Sequence, residues 1–167
     1  MGIGELNKLD KSALREVLGL CCGSAAWTRE MLAIFPVSSS DWLLREAERI
    51  WYSCTEKDWQ EAFTHHPRIG DLESLRKKWA STGHWAEGEQ SGVKAAAEEV
   101  LEKLAAGNEA YERKFGYIFI VCATGKSAIE MLDLLRTRLG NTAGTEIRIA
   151  MGEQNKITRI RLEKLLT

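Results

Sequence analysis

The chain lacks most of the features that would assign a protein to a class at once. No stretch approaches the roughly eighteen consecutive apolar residues of a membrane-spanning helix. The N-terminus, Met1-Gly2-Ile3-Gly4-Glu5-Leu6, has neither a basic segment nor an apolar run of signal-peptide type. Charge of one sign is also lacking: the formal net charge is -1, which removes the electrostatic argument for nucleic acid or an anionic membrane surface as a partner. The four cysteines, Cys21, Cys22, Cys54 and Cys122, show no C-x-x-C spacing. They are expected as reduced thiols packed like small hydrophobes, and structural zinc is disfavoured. Histidine is scarce, with only His65, His66 and His84 and no H-x-x-x-H or H-E-x-x-H spacing, so a histidine-based metal site is disfavoured too. A G-x-S-x-G elbow, a phosphate-binding glycine loop and a dinucleotide fingerprint are all missing.

What the chain does have is amphipathic helix. Its 167 residues, 44% hydrophobic and 28% charged, suit one globular domain that buries roughly two-thirds of its unfolded surface without a staple. Asp10 can cap a helix carrying Leu14, Val17 and Leu18 at helical intervals, which ends near Gly23. A short helix is expected over 24–35. Trp42, Leu43, Ala47, Ile50 and Trp51 form a further apolar stripe, and Thr55 with an acidic first turn opens the next helix, with Trp59, Ala62 and Phe63 on its buried side. Beyond Asp71 the same reasoning places a short helix from Leu72 that stops in Ser81-Thr82-Gly83, a strong helix over 93–106 that continues helically over 108–115 after the weak point Gly107, and helices over 129–139 and about 145–166. The run Gly116-Tyr117-Ile118-Phe119-Ile120-Val121-Cys122-Ala123 is rich in β-branched and aromatic residues. With no second strand to pair with, a buried helix or an irregular segment is preferred to a strand there. The expected fold is therefore all-α, a single-domain helical bundle (1–167) of about seven or eight helices.

Between two of these helices lies a polar, turn-rich island, Thr64-His65-His66-Pro67-Arg68-Ile69-Gly70-Asp71. Pro67 disfavours the α region for His66, so the preceding helix should stop at Thr64 or His65 and leave His66 extended. Gly70 and Asp71 then punctuate and cap the next helix. Taken alone, the island reads more readily as a surface corner than as an aimed imidazole. His65, at a helix C-terminus, is expected in a structural or exposed role, and His84 has no supporting pattern. Cys122, inside the apolar run, reads as core and not as a nucleophile. An acid/base pair remains, in which His66 meets a carboxylate through space. Glu89, with Gln90 beside it at the N-terminus of a long helix, is the natural partner: its carboxylate would fix the imidazole tautomer and favour the protonated form, while Gln90 could orient a polar ligand.

Several ordered strings then carry a resemblance. They are His66-Pro67-Arg68-Ile69-Gly70-Asp71, then Glu89-Gln90, then Asn108-x-x-Tyr111-x-x-Lys114-Phe115-Gly116-Tyr117-x-Phe119-Ile120, then Arg138-Leu139 and Glu146, and finally Ile157-x-x-x-Arg161-Leu162. Together they resemble, over nearly the whole chain, the decarboxylases that convert 2-oxo-4-hydroxy-4-carboxy-5-ureidoimidazoline (OHCU) to (S)-allantoin and carbon dioxide in urate breakdown. The resemblance implies a cofactor-free carboxy-lyase with no metal, in which His66 is the essential acid/base and Glu89 contacts both the histidine and the substrate. It further implies a substrate site lined by Pro67, Ala86, Glu89, Gln90, Phe119, Ile120, Val121, Cys122 and Ala123. Ala86 is a departure, because many relatives carry serine there; a hydroxyl contact from that loop is thereby put in doubt, though backbone amides remain. Arg161 either reaches the site or pairs with an acid on a neighbouring helix, and the second, structural role is the one expected. The family also implies a homodimer, with the C-terminal helix as a plausible interface. The ending Leu165-Leu166-Thr167 lacks a Ser-Lys-Leu type signal, so a cytoplasmic location is expected. Two rivals stay open: a helical interaction module using the six tryptophans as a surface, and a helix-turn-helix DNA reader, against which the charge balance weighs.

Overall fold

The computed structural model describes residues 1–66, 71–79 and 90–167, without the side chains of 90–96. The described residues form nine helices and no strand: α1 (Ile3–Leu6), α2 (Lys11–Cys21), α3 (Ala25–Ala33), α4 (Ser40–Ser53), α5 (Glu56–Thr64), α6 (Leu72–Trp79), α7 (Gln90–Phe115), α8 (Ala128–Leu139) and α9 (Ala143–Leu165). The all-α expectation is met, with one helix more than foreseen because the single turn α1 carries no periodic signal of its own. The segment between α7 and α8 is neither helix nor strand, as the lack of a pairing partner implied.

The helix starts follow from side chains that satisfy otherwise orphaned amides. Asp10 Oδ1 accepts from the amides of Ser12 and Ala13, both at 2.9 Å. Thr55 and Asp58 form a reciprocal capping box, and so do Ser127 and Glu130. Gly107 does not divide the long helix: α7 runs through it for 26 residues. A Cβ added there would lie 2.6 Å from Leu135 Cδ2, so the glycine admits α8 close to α7 instead of ending the helix.

The chain forms two compact units, one of 1–66, 120–122 and 147–167, the other of 67–119 and 123–146. In the first, Leu6, Leu14, Leu18, Trp27, Met31, Leu43, Ile50, Trp51, Phe63, Ala150 and Leu162 are buried. A buried Leu, Met or Phe side chain contributes about 1.5–3 kcal/mol by removal from water. Trp27 Nε1 donates to the Ala47 carbonyl at 2.9 Å and Trp51 Nε1 to that of Met151 at 2.8 Å. These indoles are therefore core with a satisfied N–H, not a docking surface. In the second unit, Leu75, Leu101, Leu104, Tyr111, Met131, Leu132 and Leu135 are buried among α6, α7 and α8. All four cysteines are free thiols, with Cys21, Cys22 and Cys122 buried. Among the described residues no helix is long and apolar enough to cross a membrane.

Candidate functional site

His66 lies just past the end of α5, half-buried, with its amide donating to the Phe63 carbonyl at 3.3 Å. The preceding residue, His65, is the C-cap of α5. Its ring presses on the turn between α2 and α3, where a Cβ on Gly23 would sit 2.6 Å from His65 Cδ2. Glycine at position 23 thus lets the end of α5 settle against that turn.

The imidazole of His66 meets α9. Its Nε2 is hydrogen-bonded to Gln154 Oε1; a carbonyl oxygen can only accept, so Nε2 carries the proton and Nδ1 the lone pair when the ring is neutral. Gln154 is itself fully buried, and its Nε2 donates to Thr158 Oγ1 at 3.1 Å. The Thr158 hydroxyl and the Ser24 amide bear on the buried Cys22 thiol, and both oppose the rise that burial gives its pKa. The result is a chain of uncharged groups, Thr158, Gln154 and His66, whose amide is oriented before the imidazole is considered.

Among the described residues, burial and the neighbouring cations disfavour the imidazolium of His66. Burial lowers its pKa below the ordinary imidazole value; the Gln154 bond raises it, and Arg161 and His65 lower it further. With the balance downward, His66 is neutral at pH 7. Arg161 Nη1 reaches the carbonyls of Leu20 and Cys21, each at 3.4 Å, at the end of α2, and among the described residues it forms no ion pair. A cation favours that helix end, where carbonyls lack partners. Burial pushes the Cys22 thiol up to about 12 and the Cys21 thiol to about 11, so neither is an activated nucleophile.

The second compact unit holds a different polar cluster. Glu146, fully buried, accepts from Arg138 Nε at 2.6 Å, from the Tyr111 hydroxyl, and from Asn141 Nδ2 at 2.9 Å. The Arg138 guanidinium lies 4.5 Å from the Phe119 ring centroid and 5.7 Å from that of Tyr111. Burial first, and then the bond to Glu146, push the Tyr111 hydroxyl well above its usual value, so it remains a donor. Lys114 Nζ adds bonds to the carbonyls of Leu139 and Asn141 at 2.6 and 2.9 Å, closing the end of α8.

The residues singled out from sequence are thus distributed unevenly. His66, Ile120, Val121 and Cys122 belong to the first unit, with Ile120 and Cys122 buried and Val121 partly so. Phe119 packs with Arg138 and Tyr111, and Ala123 follows in the second unit, half-buried. Gln90 is the first residue of α7, its side chain outside the described residues. Pro67, Ala86 and Glu89 also lie outside the described residues, as does His84, so the pairing of His66 with Glu89 is carried by sequence alone. Among the described residues no group of three or more His, Cys, Asp or Glu side chains is gathered as for a metal ion.

Sequence reading missed Gln154 and Thr158. A signal was present: Ile147, Ala150, Gln154, Thr158 and Leu162 follow one another at three or four residues along α9 and are all buried. Two polar residues on an otherwise apolar stripe have to be hydrogen-bonded inside, which marks them as members of a network.

The fold has a counterpart among solved structures. A crystal structure of an OHCU decarboxylase in the presence of (S)-allantoin matches with a TM-score of 0.70 and 35% identity, covering 89% of this chain and 95% of that one. The chain belongs to the OHCU decarboxylase family, which it matches over residues 7–163. It is 34% identical over 149 residues to the uric acid degradation bifunctional protein TTL of Arabidopsis thaliana, covering 89% of this chain but 46% of that protein. The chain therefore spans less than half the length of that relative. A 2-oxo-4-hydroxy-4-carboxy-5-ureidoimidazoline decarboxylase of Haloferax volcanii is 23% identical over 159 residues, covering 95% of this chain and 92% of that protein.

Proposed function

We propose that the chain catalyses cofactor-independent decarboxylation of OHCU to (S)-allantoin and carbon dioxide, with His66 as the acid/base. The observation that carries the reading is a half-buried imidazole, held neutral near pH 7 and fixed at one nitrogen, in a member of this family. A neutral imidazole can accept a proton as readily as, once charged, it can return one, and its operating range lies close to neutral pH. In the reaction the carbon–carboxylate bond breaks, carbon dioxide leaves, and the electron pair stays on the ring, where neighbouring polar groups delocalise it. His66 handles the substrate hydroxyl or delivers a proton to one face of the carbanionic carbon, which gives a single enantiomer. Positioning and electrostatic stabilisation supply the rest, so no metal or organic cofactor enters the scheme.

The same reading gives Glu89 the carboxylate contact to the imidazole and substrate, and Pro67, Ala86, Gln90 and 119–123 the substrate-facing walls. It includes a single-domain organisation, a cytoplasmic location and a homodimer, the last testable by sedimentation of the purified chain. To test the activity, OHCU is generated from urate with uricase and the hydrolase that follows it, and allantoin is followed by circular dichroism. The expected result is faster appearance of dextro- or laevorotatory allantoin of one hand; an unchanged rate and no excess of either hand would contradict it. A Glu89→Ala protein is expected to show an altered pH dependence, and an unchanged profile would argue against the pairing.

A further inference from the structure

We propose that Gln154 is the positioning residue of His66: its amide holds the imidazole in the Nε2–H tautomer and so makes Nδ1 the nitrogen that exchanges protons with substrate. The inference rests on the acid/base role of His66 given above, but its geometry stands independently. Gln154 is fully buried, and its amide has two ends with different chemistry. The NH2 end donates to Thr158 Oγ1 at 3.1 Å, and Thr158 is itself buried. With its NH2 end bound, the amide presents its carbonyl to His66, and a carbonyl selects the ring nitrogen that bears hydrogen.

The choice of an amide has a chemical consequence. A carboxylate at this position would also fix the tautomer, but it would stabilise the imidazolium and raise the histidine's pKa. An amide orients the ring without adding charge. Among the described residues, the charged and titratable groups that bear on His66 are Arg161 on α9 and His65 on α5, and both favour the neutral ring; the Glu89 carboxylate that the proposed function sets against the imidazole would act in the other direction. Orientation and neutrality are therefore supplied by different neighbours.

The test combines a spectroscopic and a kinetic readout on the full chain. Nitrogen NMR of the histidine rings, with His66→Asn used to identify the His66 signals, is expected to show hydrogen on Nε2 and a lone pair on Nδ1. In Gln154→Met, which keeps the length but removes the acceptor, the tautomers should mix. There kcat should fall about 10- to 100-fold, within the range that acid–base catalysis supplies, with KM changed far less. The acid limb of the kcat/KM profile should move down in pH for Gln154→Met and up for Gln154→Glu. A purely structural role would not move that limb in opposite directions. If Gln154→Met does not fold, Thr158→Val, which frees the amide to turn, is expected to mix the tautomers in the same way, and the wild-type spectrum already decides the tautomer. A wild-type His66 with hydrogen on Nδ1, or a folded Gln154→Met protein with wild-type tautomer and kcat, would overturn the proposal. An Nε2–H spectrum in a chain without decarboxylase activity would instead keep the tautomer assignment and remove its role; an active chain with the reverse tautomer would keep the activity and remove Gln154's part.

Discussion

The two compact units each bury a polar cluster, and the clusters are built on opposite principles. Around Glu146, a carboxylate and a guanidinium face each other away from water, with Tyr111 and Asn141 occupying further acceptor positions. Around Gln154, an amide and a hydroxyl make an uncharged chain that ends on an imidazole. Buried charge is costly to strip of water and has to be fully paired, so the Glu146 cluster has one workable arrangement. The neutral chain has lower stakes for stability and ends on a group that can change protonation near neutral pH. The first is suited to holding a fold and the second to holding a reacting group.

Substitutions should separate these roles. The largest effect on stability is expected from Glu146→Ala, which leaves the Arg138 guanidinium buried and uncompensated; a loss of about 3–5 kcal/mol in denaturant unfolding is expected, and a loss below about 1 kcal/mol would mean the pair is hydrated. Next comes Gly23→Ala, where the new methyl meets the His65 ring. A loss of about 1–3 kcal/mol is expected from overpacking, read as a lower denaturation midpoint. Smaller again is Tyr111→Phe, which removes one donor from a carboxylate that keeps Arg138 and Asn141, with an expected cost of about 1 kcal/mol.

The smallest effect is pH-dependent and belongs to the neutral cluster. Because the folded-state pKa of His66 is lowered, the unfolded chain binds its proton first as the pH falls. The stability this histidine confers is fully present above its unfolded pKa of about 6.5 and is lost as the pH falls from there towards the folded value. His66→Asn should therefore flatten the stability profile in that window. A steeper profile in the variant would mean that the folded protein favours the imidazolium.

The difference between the clusters also explains what could be read in advance. Helices were legible because Asp10, Thr55 and Ser127 sit where caps belong and the apolar spacing is regular. The helix does continue through the weak point Gly107, but why a glycine stands there depends on Leu135 from another helix, a contact with no local trace. Tyr111, Lys114, Arg138 and Glu146 stood out as a recurrent pattern, but that their job is mutual pairing became visible only in three dimensions. Arg161, which sequence leaves between lining the site and pairing with an acid, reaches among the described residues the carbonyls at the end of α2. His66 was marked by Pro67 beside it. Its neighbour Gln154 was not, because 88 residues separate the two and a glutamine within a charged helix has no distinguishing feature until its face is known to be buried.

The most direct measurement compares turnover of freshly generated OHCU by the wild-type chain and by His66→Asn at matched thermal midpoints. A fall of about 10²- to 10⁴-fold, the range attributed to a positioned acid or base, with the fold retained, is the result expected. Near wild-type production of one enantiomer of allantoin by His66→Asn would contradict the account.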